Sequence, residues 1–414
     1  MANPYLLMAV LYIVLAVLAA LDSALASLGL LPWFNGIVWL RAHFITLGVL
    51  TEVTFGMLPL LVAARVNRPR PKTRWDIWLT LNAGLVVLGV GIPLVNGTLM
   101  IAGGTLVFIA AVLLLKQLLD LRPLKGGAPL LGTPEARKFY IAGLSYLLLG
   151  IFVGTGLFVG WDVALGMQVP REVHVHSNLW GFTSLLFAGL WVDLYPALTG
   201  KSPAWPQSIK WIFWLMMIGE FGLVLGPWTG SNEITVPGLV LHFSSTILLL
   251  ANVIAPLWRD RSVWTPGLSH MVIAYVWVAA PATMAPAIIF GIPGFPTSAV
   301  ETIAPPMMIY GWLLQFGYGV FPYLFSRTFL PEQPARLGGN LVSLIGVNLG
   351  AALILASAFL EPYAAALNAF AFLAWVLSLV PIALELWRIA RAGLARIEQK
   401  QEIASLDNPL SLIH

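Results

Sequence analysis

Apolar runs of helix length recur along the whole 414-residue chain, with most charges gathered in the connections between them. A hydrocarbon layer about 30 Å thick needs roughly 20 apolar residues to cross it as a helix. Inside it every backbone polar group must find its partner within the protein, which leaves only helices and closed barrels. These runs are longer than the alternating ten-residue strands of a barrel. The chain is 59% hydrophobic and 10% charged, which excludes a soluble domain of this size. The expected fold class is therefore all-α, a polytopic membrane bundle surrounded by the lipid bilayer. The first run, Tyr5 to Leu31, is too long for a signal-peptide core and lacks a basic flank, so it reads as a retained helix.

Hydropathy predicts about twelve spans, centred near Val17, Thr51, Val86, Phe108, Ile151, Ser184, Met217, Thr246, Ala279, Gly311, Gly350 and Trp375. With the N-terminus in the cytoplasm, 20 of the 22 Lys and Arg fall in inner loops or the tail, and only Arg41 and Arg171 lie outside. That asymmetry follows the positive-inside rule and places both termini in the cytoplasm of a cell inner membrane. Trp33, Trp39, Trp161 and Trp228 then form an aromatic belt at the outer interface. The longest linker, roughly Leu121 to Lys138, is basic and rich in Gly and Pro. The net charge of +4 is a matter of topology and implies no nucleic-acid partner.

The spans carry an internal repeat. Span two has Gly48, Gly56, Pro59 and Leu61, and span ten has Gly311, Gly319, Pro322 and Leu324 at the same spacing. Span six has Gly181, Gly189, Pro196 and Leu198, with four extra residues before the proline. The expectation is a single membrane domain over 1–414, built from three pseudo-symmetric four-helix units at 1–133, 134–265 and 266–394, followed by a tail over 395–414.

Four of six histidines, His43, His174, His176 and His242, share one predicted depth in the outer third of the bundle. Imidazole is costly in hydrocarbon, so an intramembrane histidine suggests function. His43 and His176 both lie five residues before the first glycine of their repeat, where the third repeat has Pro306. His174 and His176 are two apart, about 200° around a helix, so they serve two different sites. A shared heme or metal layer is the natural reading. Cysteine is absent, so any heme is held without thioether links or thiolate ligands. His270 starts span nine on the inner side and reads as interfacial, and His414 is terminal. Glu52, Glu220 and Asp22 are candidates for a proton path, since buried carboxylates are expensive unless paired or protonated. No P-loop, Rossmann glycine pattern, zinc-protease motif or nucleophile elbow occurs.

The stretch Glu172-Val-His-Val-His-Ser-Asn-Leu-Trp-Gly-Phe, running on to Gly189 and Tyr195-Pro196, resembles the H-x-H helix of heme–copper oxidase catalytic subunits. The likeness is greatest to C-type oxidases, nitric oxide reductases and NnrS-like relatives. The stretch from Arg41-Ala-His43 through Gly48, Gly56 and Pro59 is similar to the family's second helix. The resemblance implies His43 and His176 as axial ligands of a low-spin b-type heme and His174 as ligand of a second heme or metal. It implies Arg41 and Arg171 as partners of heme propionates, copper held by His174 and His242, and a cytochrome or cupredoxin donor subunit. The chain departs from the family in carrying H-x-H on the sixth span, with no histidine on the tenth and no adjacent histidine pair. The function implied is electron transfer, with binding or reduction of O₂ or NO at a His-ligated centre, in the manner of an oxidoreductase. The alternatives are a proton-coupled secondary transporter using Glu52 and Glu220, or a non-catalytic structural or assembly subunit.

Overall fold

Proline and small polar residues set the helix starts. Pro4, Pro170 and Pro266 stand in first turns, where the missing N–H costs nothing, and the side chains of Asn3, Asn96 and Thr265 cap orphan backbone N–H groups. Gly200 and Gly230 end two helices with positive φ. The computed structural model describes residues 3–32, 35–122 and 136–407. Trp33, Lys125, most of the Leu121–Lys138 linker and His414 lie outside the described residues.

The regular structure of the described residues is all helical, and ten helices are long and apolar enough to cross a membrane. They are α1 (Pro4–Ser27), α2 (Gly36–Arg65), α3 (Trp75–Leu94), α4 (Gly97–Asp120), α5 (Ala136–Gly156), α6 (Pro170–Thr199), α7 (Pro206–Thr229), α8 (Asn232–Leu257), α9 (Pro266–Ile289) and α12, whose helix runs from Ala364 to Asp407. Two further helices occupy the remaining expected places. α10 is continuous over 297–329 but carries Glu301, Gln315 and Arg327, and α11 (Leu341–Ser357) is a 17-residue apolar helix. α12 continues as helix through most of the expected tail.

Helices α2, α6 and α10 are the most enclosed part of the bundle, and each changes from α to π hydrogen bonding after its first few turns. The π stretches are Phe44–Leu50, His176–Thr183 and Met308–Leu314, starting 132 positions apart in both intervals. Each contains the first glycine of the repeat, and each glycine meets a ring from the preceding apolar helix. A Cβ added at Gly48 would lie 2.5 Å from Tyr12 Cγ, at Gly181 2.7 Å from Tyr146 Cγ, and at Gly311 2.6 Å from Trp277 Cγ. α1 packs on α2, α5 on α6, and α9 on α10, while α3 packs on α4, α7 on α8, and α11 on α12. α4 then packs on α5, α8 on α9, and α12 on α1, which closes the ring. The π stretches of α2 and α6 both touch that of α10, but α2 and α6 make no comparable contact with each other.

Toward the C-terminal ends of α2 and α6 a buried network joins the two helices. Arg65 Nε lies 2.6 Å from Asp193 Oδ1, Arg65 also donates to the Asp193 carbonyl, and Tyr140 OH donates to Asp193 Oδ2 at 2.6 Å. Asp193 is thus a structural ion-pair partner.

Candidate functional site

His43 and His174 form one pair across the gap between α2 and α6. Their ring centroids are 6.4 Å apart and their planes are tilted by 27°. The sequence expectation joined His43 to His176, and the structure corrects that partner. His174 and His176 point to opposite sides of α6, and sequence spacing alone does not say which side faces α2. His176 turns instead toward α7, where its Nδ1 donates to the Leu223 carbonyl at 2.6 Å.

Each of the three imidazoles is set in one tautomer by a backbone carbonyl, which can only accept. His43 Nδ1–H donates to Trp39 O at 2.7 Å, and His174 Nδ1–H donates to Gly150 O at 2.9 Å. In all three rings Nε2 keeps its lone pair, with no hydrogen-bond partner among the described residues. An outer hydrogen bond that fixes ring and tautomer is the arrangement found around metal-ligating histidines. The residues that supply it are invisible to sequence motifs because the acceptors are main-chain atoms. Gly150 and Gly154, four apart on α5, carry a small-residue signal that could have been found. A Cβ at Gly154 would lie 2.4 Å from His174 Cε1, so this glycine makes the seat for the ring.

The donor set fits a porphyrin better than a bare ion. Among the described residues no group of three or more His, Cys, Asp or Glu side chains converges as a metal site. A bare zinc or copper takes about four protein-supplied or solvent ligands. A heme brings its own in-plane nitrogens and asks the protein only for axial ones.

Other expected site residues fall elsewhere. His242 is fully buried in α8, its Nδ1 2.7 Å from Glu220 Oε1 of α7 and its ring edge-on to Trp180 at 4.9 Å. The ring neighbours of the expected copper pair differ, His43 for His174 and Trp180 for His242. Arg41 is buried with its guanidinium 3.9 Å above the Phe372 ring of α12, and no carboxylate pairs with it among the described residues. Two residues before His43, it turns away from the His43–His174 gap, which corrects its place beside a heme held there. Arg171 is exposed at the outer end of α6, within electrostatic reach of Glu172 and Glu301.

The proton-path candidates are not joined to one another by hydrogen bonds among the described residues. Glu52 is buried nine positions after His43, beside Asn82 of α3, and among the described residues Asp22 Oδ2 is buried on α1 without a partner. His270 is buried rather than interfacial, and its Nε2 bonds Ser343 Oγ of α11 at 2.8 Å. That is helix-to-helix glue.

No protein-family model matches the chain, and no curated protein matches it.

Proposed function

We propose that this protein is a heme-binding electron-transfer protein of the membrane, with one b-type heme held between α2 and α6 by His43 and His174. The observation that carries the reading is the opposed pair of imidazoles, 6.4 Å apart, each with Nδ1–H committed to a carbonyl and Nε2 free. When bound, the group would supply one-electron exchange at its iron, and His43 and His174 would hold it. The protein's part is to fix both rings, keep them neutral at Nε2, and exclude water with the apolar bundle. The proposal also includes the finer architecture. Twelve spans form three four-helix units around α2, α6 and α10, with both termini on the cytoplasmic side of an inner membrane. The recurring π stretches and the ring of helix contacts support it. A small redox subunit such as a cytochrome or cupredoxin is the partner such a heme needs on the outer side.

A reduced-minus-oxidised visible spectrum of the purified, heme-supplemented protein tests this. The expected result is a six-coordinate low-spin signal that disappears in His43→Ala and in His174→Ala and survives in His176→Ala. A folded preparation with no Soret band overturns the reading. In that case the carboxylate of Glu52, buried at mid-helix in α2, favours the second reading, a proton-coupled transporter.

A further inference from the structure

A guanidinium is always charged, and inside a membrane bundle it is expensive unless an anion stands beside it. Arg41 is 8% exposed, and among the described residues its guanidinium has neither a hydrogen-bond acceptor nor a carboxylate. It rests on the face of Phe372 of α12, 3.9 Å away. An aromatic face offsets part of the cost of desolvating a cation but offers its N–H groups no oxygen. Tyr310 of α10 stands within electrostatic reach of Arg41, and its hydroxyl is buried without a hydrogen-bond partner among the described residues. The Tyr310 ring is held by a stack on Trp375 at 3.9 Å and lies 6.0 Å from Phe372. The two groups thus present N–H and O–H donors that lack an acceptor.

A groove lies beside them. It holds about 340 Å³ of empty space, its open side included, and runs between α1 and α12 with α2 and α10 also lining it. Tyr310 lines it directly. Arg41, Ile45 and Val49 are spaced by four along α2, and the last two line the groove, so Arg41 stands at its end toward the start of α2. Phe372 stands in the same relation to Trp375 and Val376 on α12. Ala16 and Ala20 keep the α1 wall thin, and the rest of the lining is aliphatic apart from the two rings. Val17 and Val376 on its walls are only half-buried, so the groove reaches the outside of the bundle. It is an apolar channel with a cation and a hydroxyl at one end.

We propose that this groove binds one long-chain fatty carboxylate, with its head at Arg41 and Tyr310 and its chain between α1 and α12. A carboxylate matches the planar guanidinium through paired N–H···O bonds and accepts the Tyr310 O–H as well. Charge selects it over an uncharged chain, because only an anion compensates the buried cation. A single chain suits a narrow groove between two helices, whereas a phospholipid brings a second chain and a bulkier head to the same buried guanidinium. Arg41 turns away from the His43–His174 pair, so the inference stands apart from the heme reading.

Photo-crosslinking tests it, with full-length protein in phosphatidylcholine nanodiscs and a palmitate that carries a diazirine on its chain. The expected adducts fall on α1 between Ile13 and Ala20 and on α12 between Trp375 and Leu379. Excess oleate should suppress them, and methyl oleate, which has the chain without the charge, should not. Arg41→Gln should lower the yield at limiting probe at least ~10-fold, the scale of losing hydrogen bonds to a charged group. Tyr310→Phe should lower it by a smaller factor. Ala16→Phe fills the groove and leaves Arg41 in place, so it should abolish the adducts by a route that does not depend on how Arg41→Gln folds. Adducts spread evenly over the lipid-facing helices, equal competition by methyl oleate, or an unchanged yield in folded Arg41→Gln or Ala16→Phe would each overturn the proposal. Suppression by phosphatidylglycerol where oleate has no effect makes a phospholipid the occupant and overturns it too.

Discussion

Each of the five imidazoles in the helices commits one ring nitrogen and leaves the other without a partner among the described residues, so what differs is the partner. His270 Nε2 meets the Ser343 hydroxyl and His242 Nδ1 the Glu220 carboxylate, while His43, His174 and His176 spend Nδ1–H on backbone carbonyls. The seat of the ring matters as much as the ring. Gly154→Val would drive a side chain into His174, so its heme retention should fall by at least ~10-fold, the scale of an outer-shell lesion around a metal ligand. Titrating heme into the apo-protein and following the Soret band checks this, with circular dichroism confirming that the helices remain. An unchanged affinity would mean that Gly154 serves packing only.

The π stretches and the buried clamp belong to the scale of elements. Long runs of i→i+5 bonding are rare and concentrate at functional sites. Here they recur once in each central helix, at the depth where His43, His176 and Tyr310 sit. α2 and α6 stand apart at this level yet are tied toward their C-terminal ends by Arg65, Asp193 and Tyr140. Asp193→Ala leaves a buried guanidinium without its partner, which costs about 3–5 kcal/mol. A fall in the unfolding midpoint in detergent, larger than for Tyr140→Phe, is expected. By contrast, the loop pair Lys201–Asp260, 2.7 Å apart, lies at the surface, with the Asp260 side chain 37% exposed. The hydrogen bond from Lys201 pulls the Asp260 carboxyl down to about 2. Its small contribution is present above the ordinary carboxylate range and is lost only as pH falls toward 2. Unfolding midpoints of wild type and Asp260→Asn should therefore coincide from pH 5 to 8, since exposed pairs are weak and screened.

For the molecule as a whole, the number of crossings is the quantity to measure. The chain has no cysteine, so a single introduced cysteine reports its own side of the membrane without background. Lys72→Cys should label from the inside and Val163→Cys from the outside. Gln333→Cys, between α10 and α11, decides between counts. Labelling from inside supports twelve crossings, and labelling from outside means that α10 and α11 do not cross.

Much of this architecture is legible in the amino-acid sequence, and the rest is not, for physical reasons that particular residues make plain. Helix formation, the approximate places of the apolar helices and the periodic glycines follow from local quantities, hydropathy and steric size along the chain. The outer-third histidines are visible for the same reason, because desolvation cost marks an imidazole wherever it stands. The choice of partner is not local. His174 and His176 differ by two positions, and only the rotation of α6 in the packed bundle selects which of them faces α2. The burial of His270, the Glu220–His242 pair and the side taken by Arg41 likewise depend on which helix lies across the gap. The sequence by itself determined which imidazoles stand in apolar helices; the tertiary structure decided which of them meet, because opposition of two side chains is a property of two helices packed together and of neither alone.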